Sequence, residues 1–264
     1  MFNLQHILYM VISFALSGVF LYLGKKYIKK DEHHDKIIRF LAVITVLIHI
    51  SCLWVDFFTN EGVAEIQDNM IFPIYPCNVI MWLLVIVSAM RRRGGVIYRL
   101  LAEFVCIGGT VCGFVGIVLN ANFDNTPTLA DYDILKGMLS HSTMLLGCLW
   151  LGISAGIVKI RMRNMVSTVV GLLIFLVDGL IVNHLFTVTG IDAECNSMYL
   201  QKPPFESMPW LTTGFMGIAG ITVAFLLAVG FEKLVLKKKW KEIFTLSNVL
   251  GEDIVKPKSA PTVE

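Results

Sequence analysis

Cys77 follows two prolines, Pro73 and Pro76, in the run Ile71-Phe72-Pro73-Ile74-Tyr75-Pro76-Cys77-Asn78 near the head of an apolar stretch. A deprotonated cysteine is a strong nucleophile, and a nearby histidine can take its proton. Prolines restrict the start of a helix and leave backbone N–H groups near Cys77 unpaired. Such a helix N-terminus favours a thiolate and can hold an oxyanion. His141, in Leu139-Ser140-His141-Ser142 at the head of another apolar stretch, is the candidate base. The chemistry open to this pair is acyl transfer through a thioester. The plainer alternative is that Cys77 fills space and His141 bonds a neighbouring helix.

Further polar residues lie inside apolar stretches: His49, Asp56, Asn78, Glu103, Asp178, Asn183 and His184. Ionisable groups at such positions are costly and face a cavity or a partner. Counting 1.5 Å of rise per residue, Asp56, Cys77, His141 and His184 all fall within roughly 10 Å of one boundary. Four stretches thus contribute to one polar layer, which predicts a pocket open to that side. His49, Cys52 and Asp56 share a helical face. Asn78 or backbone N–H groups would hold an oxyanion, and Asp56, Asn183 and His184 would orient the reacting pair. Asp178, near the midplane, is predicted to face the interior with a polar partner, since a lone carboxylate there needs a partner or a proton. Two other readings stay open. Asp56, Asp178, His49 and His184 could form an ion or proton path through a transporter or channel, or the same groups could bind helices together in a scaffold.

Helices must position these residues. Seven apolar stretches, 5–24, 40–59, 71–90, 100–120, 137–158, 165–189 and 208–231, each approach the ~20 residues that cross a bilayer. The chain is 56% hydrophobic and only 16% charged, against about 25% charged in soluble domains. No alternating strands are present, so the predicted fold is an all-α bundle of seven transmembrane helices. The first stretch lacks a basic start and a cleavage site, and reads as a span. Of 22 Lys and Arg, 20 fall on one side of the alternating loops, leaving only Lys136 and Lys202 on the other. The basic side is the cytoplasmic one, so the N-terminus is expected outside and the C-terminus inside. In a bacterium the membrane would be the plasma membrane.

Residues 1–240 form the predicted membrane domain and 241–264 a cytoplasmic tail, the last dozen residues being mobile. Basic residues dispersed over loops argue against nucleic-acid binding. The six cysteines show no zinc-ligand spacing, so no metal site and no disulfide scaffold is expected. The absence of an internal repeat weakens the transporter reading.

Three segments together carry a resemblance: Phe72-Pro73-Ile74-Tyr75-Pro76-Cys77, Leu139-Ser140-His141-Ser142, and Asn196-Ser197-Met198-Tyr199-Leu200-Gln201-Lys202-Pro203 followed by Pro209-Trp210. Their order and positions resemble the YwaF-like integral membrane family, which is related to vertebrate transmembrane protein 164. The resemblance runs from the second stretch to the last. It implies a compact helical bundle and a cofactor-free acyltransferase acting on glycerophospholipids and lysophospholipids, with Cys77 and His141 at the positions of the catalytic cysteine and histidine. Hydrolysis by the same pair shares the covalent step. The chain departs from the pattern at Tyr75, where many relatives carry histidine, and in the shortened segment between Pro203 and Trp210. Both departures bear on substrate choice.

The charge distribution yields a direct test. A tag after Glu264 is expected to resist external protease in intact cells, and one before Met1 to be cleaved. Both tags behaving alike would rule out an odd number of spans.

Overall fold

The computed structural model describes residues 3–59, 72–90, 95–119, 128–191, 195–204 and 208–250, and all regular structure among them is helical. Helix α1 spans Leu4–Tyr27, α2 Asp31–His49, α3 Cys52–Thr59, α4 Pro76–Ala89 and α5 Val96–Val118. Then come α6 (Tyr132–Gly152), α7 (Asn164–Thr189) and α8 (Thr213–Gly230), which runs into a π-turn at Phe231–Val235. Two short helices, α9 (Trp240–Ile243) and α10 (Leu246–Leu250), end the described chain. Among the described residues, five helices are long and apolar enough to cross a membrane: α1, α5, α6, α7 and α8 with its π-turn.

The remaining stretches differ from the predicted spans for local reasons. The second is two helices. It begins at Asp31, nine residues before the predicted 40, inside the predicted loop. Asp31 and Glu32 sit at its N-terminus, where negative charge is favourable, and Glu32 pairs with Lys36 one turn on at 2.6 Å. It breaks at Ile50–Ser51, where the Ser51 hydroxyl turns to the Ile48 carbonyl and to Tyr132 Oη, each at 2.5 Å. The third has only 14 helical residues, about 21 Å, because Pro73 and Pro76 hold the preceding segment extended. The fifth starts at Tyr132, not 137. Asp131 caps it, its carboxylate accepting from the N–H groups of Asp133 (2.9 Å) and Ile134 (3.3 Å). The sixth matches its predicted span to one residue.

Packing is closest around α6, which touches α1, α2, α4 and α5. One face of α5 is glycine where α6 lies against it. A Cβ on Gly109 would stand 2.2 Å from Cys148 Sγ, and one on Gly113 2.9 Å from Leu145 Cβ. Small residues at such contacts let helices approach in lipid, where apolar side chains gain nothing by leaving the bilayer. Helix α1 follows the same rule. It buries His6, Ser13, Ser17, Leu21 and Gly24, while Leu8, Val11, Ile12 and Phe20 face outward. Ser13 and Tyr9 both bond Ser142 of α6, at 2.8 and 2.9 Å.

The basic residues gather at one end of the bundle. There Trp150 Nε1 donates to His34 (3.1 Å), and the Ser154 hydroxyl to the Leu21 carbonyl (2.9 Å). Glu103, 1% exposed, accepts from the Ser167 hydroxyl at 2.5 Å and meets Arg163 Nε at 2.9 Å. The latter contact is ionic, not a well-directed hydrogen bond. Glu232, fully buried, takes the Met162 N–H (3.2 Å), the Asn248 amide (2.8 Å) and Lys238 (3.3 Å). This carboxylate fastens α10 and the π-turn to the segment before α7. Trp240, the last residue of the predicted membrane domain, is the first of α9. Residues 251–264, including the expected mobile end, lie outside the described residues.

Glu103→Leu is expected to lower stability by roughly 2–3 kcal/mol, less than a fully buried pair because Arg163 is 32% exposed. Glu103→Gln, which keeps a partner for Ser167, should lose less. Thermal unfolding in detergent measures both, and a wild-type melting temperature for the Leu variant would mean the contact adds nothing.

Candidate active site

The N-terminus of α4 is a built polar corner. Tyr75 is the capping residue in extended conformation and Pro76 the first helical residue. The Asn78 and Val79 N–H groups donate to the Tyr75 carbonyl at 2.9 and 3.3 Å. The Asn78 side chain closes the turn: its Oδ1 accepts the Tyr75 N–H at 3.1 Å, and its Nδ2 donates to His49 Nε2 at 3.2 Å. The Asn78 amide is thus committed to Tyr75 and His49. The Asn78 N–H, expected free, is paired as well. Cys77 is a free thiol whose sulfur meets its own N–H and that of Asn78. It packs on the core where α4 and α5 meet, as does Cys112.

His141 lies on α6, over Gly116 of α5. A Cβ on Gly116 would fall 2.0 Å from the ring's Cδ2 and 2.3 Å from Nε2, so only glycine leaves room for the imidazole. His141 Nδ1 donates to the Gly137 carbonyl at 2.7 Å. That bond sets the tautomer and leaves the Nε2 lone pair with no hydrogen bond among the described residues.

Ile80 of α4 and Cys148 of α6 both meet Gly109, and Leu84 of α4 meets Gly147 of α6, so the helices that carry Cys77 and His141 lie against each other. His49 joins the two positions: it is bonded to Asn78, next to Cys77, and interacts electrostatically with His141.

A second element closes the corner. The segment between α7 and α8 folds back along α7 as far as Gly179, ten residues or about 15 Å from that helix's end. A Cβ on Gly179 would come within 2.7 Å of Leu200 and 2.9 Å of Met198. Asn183 holds the segment at both atoms of its amide: Oδ1 accepts the Ser197 N–H (2.7 Å) and Nδ2 donates to the Ser197 carbonyl (3.2 Å). The Ile74 carbonyl, three residues before Cys77, accepts the Met198 N–H (2.8 Å) and the Ser197 hydroxyl (3.1 Å). Thr213, at the head of α8, donates to the Tyr199 carbonyl. Met198 and Tyr199 have φ of 53° and 55°, left-handed backbone that costs a non-glycine residue about 1–3 kcal/mol and persists where its surroundings impose it. The Tyr199 ring lies 5.6 Å from that of Tyr75, tilted by 31°.

The remaining predicted residues are less concentrated. Asn183 positions the folded-back segment rather than the reacting pair. His184 is exposed on the outward face of α7, because it follows Asn183 by about 100° around the helix; it does not line the pocket. Asp178 is half-buried, and its Oδ2 has no hydrogen-bond partner among the described residues, contrary to expectation. The Asp56 side chain lies outside the described part of the structure. Among the described residues no three His, Cys, Asp or Glu side chains converge as metal ligands. Sequence reasoning left His49 on an ion path or as a group bonding helices together, without naming Asn78 as its partner. Its link to Asn78 had one available signal, the coincidence of two polar residues at similar depth on neighbouring stretches.

The sequence profile of the TMEM164 family matches residues 1–235, and the chain belongs to that family. Comparisons with curated proteins and with solved structures found no match. With five apolar helices of spanning length among the described residues, the chain is a multi-pass integral membrane protein.

Asn183→Ala removes both bonds to Ser197 but leaves α7 intact. Amide exchange in 195–204 is expected to quicken about tenfold or more, with α5 and α6 unchanged. Unchanged exchange in 195–204 would show that Gly179, Ile74 and Thr213 hold the segment without it.

Proposed function

We propose that this TMEM164-family protein is a membrane-embedded acyltransferase that carries the acyl group as a thioester on Cys77. The observation that carries the reading is the placement of Cys77 in the first turn of α4, its sulfur against backbone N–H groups and His49 bonded to the next residue, Asn78. Family membership supports it, and so does the His141 tautomer, which offers Nε2 as a proton acceptor.

In this reading His141 Nε2 takes the Cys77 proton directly, after a side-chain rotation, or through one water. The thiolate attacks the carbonyl of a phospholipid ester. The tetrahedral intermediate expels the lysolipid oxygen, which takes the proton from His141. A lysophospholipid hydroxyl, deprotonated by the same histidine, then attacks the thioester and restores the thiol. The Cys77 N–H is a donor for the oxyanion. No cofactor enters this scheme. The bundle would have seven passes, with the N-terminus outside and the pocket facing the outer leaflet.

Water in place of the acceptor gives a hydrolase with the same residues, and product analysis after single turnover separates the two. The ion-path reading has less support, since His184 faces outward while Asn78 holds His49 at the Cys77 corner.

Cys77→Ser and His141→Ala are each expected to abolish acyl transfer in reconstituted vesicles while leaving the protein folded. The double variant should lose little more than either single one, because the groups act as a unit. Full lipid remodelling by a stably expressed Cys77→Ala protein would end the proposal.

A further inference from the structure

The folded-back segment costs two left-handed residues and occupies five separate anchors, at Gly179, Asn183, Ile74 and Thr213 and at the Asn196 side chain. Asn196 Oδ1 accepts the N–H groups of Gln201 (3.0 Å) and Lys202 (3.2 Å), and its Nδ2 donates to the Lys202 carbonyl (2.8 Å), which closes the segment on itself. All this fixes one side chain in particular. The Tyr199 ring is braced 5.6 Å from that of Tyr75, two residues before Cys77, and the N–H of the preceding Met198 donates to the Ile74 carbonyl. The Tyr199 hydroxyl makes no hydrogen bond among the described residues. A phenol held at the head of α4 with its donor unspent suits the oxygen of a substrate at Cys77.

We propose that Tyr199 donates its O–H to the carbonyl oxygen of the lipid ester that Cys77 attacks, forming with the Cys77 N–H a two-donor oxyanion site. The inference rests on the acyl-transfer reading above. The balance is that of the covalent step. The S–C bond forms as the thiol proton passes to the base, and the carbonyl π pair moves onto oxygen, where Tyr199 and the Cys77 N–H receive it. The pair returns as the ester C–O bond breaks and the lysolipid oxygen takes the proton. Tyr199 keeps its own proton throughout. The Asn78 amide, paired with Tyr75 and His49, leaves this second donor position to the phenol. In Tyr199→Phe the ring against Tyr75 and every backbone anchor of the segment remain.

The test separates an oxyanion role from a structural one. The purified full-length protein in phospholipid vesicles is treated with two Cys77-directed probes, and labelling is followed by intact mass. An iodoacetamide lipid alkylates sulfur by displacement and forms no oxyanion. A p-nitrophenyl fatty ester acylates through one. Tyr199→Phe is expected to alkylate within about twofold of the wild-type rate but to acylate about a hundredfold more slowly, the usual scale for losing one oxyanion donor. Equal acylation by wild type and variant overturns the Tyr199 assignment and leaves the acyl-transfer reading standing. An equal fall in both rates also overturns it, since the phenol then only shapes the site. Wild-type protein that alkylates but never acylates at Cys77 refutes the acyl-transfer reading, and the Tyr199 assignment falls with it.

Discussion

The contact between the glycine face of α5 and helix α6 sets the geometry of the rest. Gly109, Gly113 and Gly116 bring the α5 backbone against Cys148, Leu145 and His141 in turn. At each level a single methyl group would force the helices apart. Because α6 also touches α1, α2 and α4, that spacing passes to every neighbour. At Gly109 the methyl of Ile80 shares the space with Cys148, so α4 is registered against the same face. The imidazole over Gly116 and the thiol at the head of α4 are therefore placed by one interface.

Polar groups then select partners within the spacing the glycines allow. In lipid, a hydroxyl or amide with no partner is expensive, so each pairing also reports which helices are neighbours. Tyr9 and Ser13 converge on Ser142, and Thr45 donates to Thr143 at 2.9 Å, which ties α1 and α2 to successive residues of α6. Asn78 and Asn183 do something different. Each uses its amide to replace backbone pairing where the helical ladder stops, one at the proline-framed start of α4 and the other along the folded-back segment. Irregular backbone at these depths survives because it is enclosed by protein.

Apolar length and charge alternation made the long helices readable in the sequence. Helix α7 emerges within one residue of its expected start, since nothing at either end competes with the apolar run. Local chemistry displaced the others. A single cap, Asp131, advanced the start of α6 by five residues. A hydroxyl at Ser51 split the second span. Two prolines shortened α4. Cys77, Asn78 and His141 were visible because their types are rare in apolar runs. The partnership of Asn78 with His49, and the return of 195–204 toward Gly179, were not. Both depend on contacts between segments far apart in sequence, and hydropathy carries no signal for a polar segment that doubles back into a bundle.

Helix α8 is fastened at its two ends and scarcely between them. At one end Thr213 bonds the carbonyl of Tyr199, and at the other Glu232 is locked to Met162 and Asn248. In its α-helical length only Ala224 and Ala228 are buried. The nineteen residue steps from Thr213 to Glu232 measure about 28 Å along the axis, close to the thickness of a bilayer's hydrocarbon core. Packed on α7 along one side and open along the other, the helix answers a thicker or thinner bilayer by changing its tilt. Its far end carries the Tyr199 backbone with it. The lipid environment is thereby coupled mechanically to the candidate site, and reconstitution into vesicles of graded acyl-chain length is where that coupling would be read.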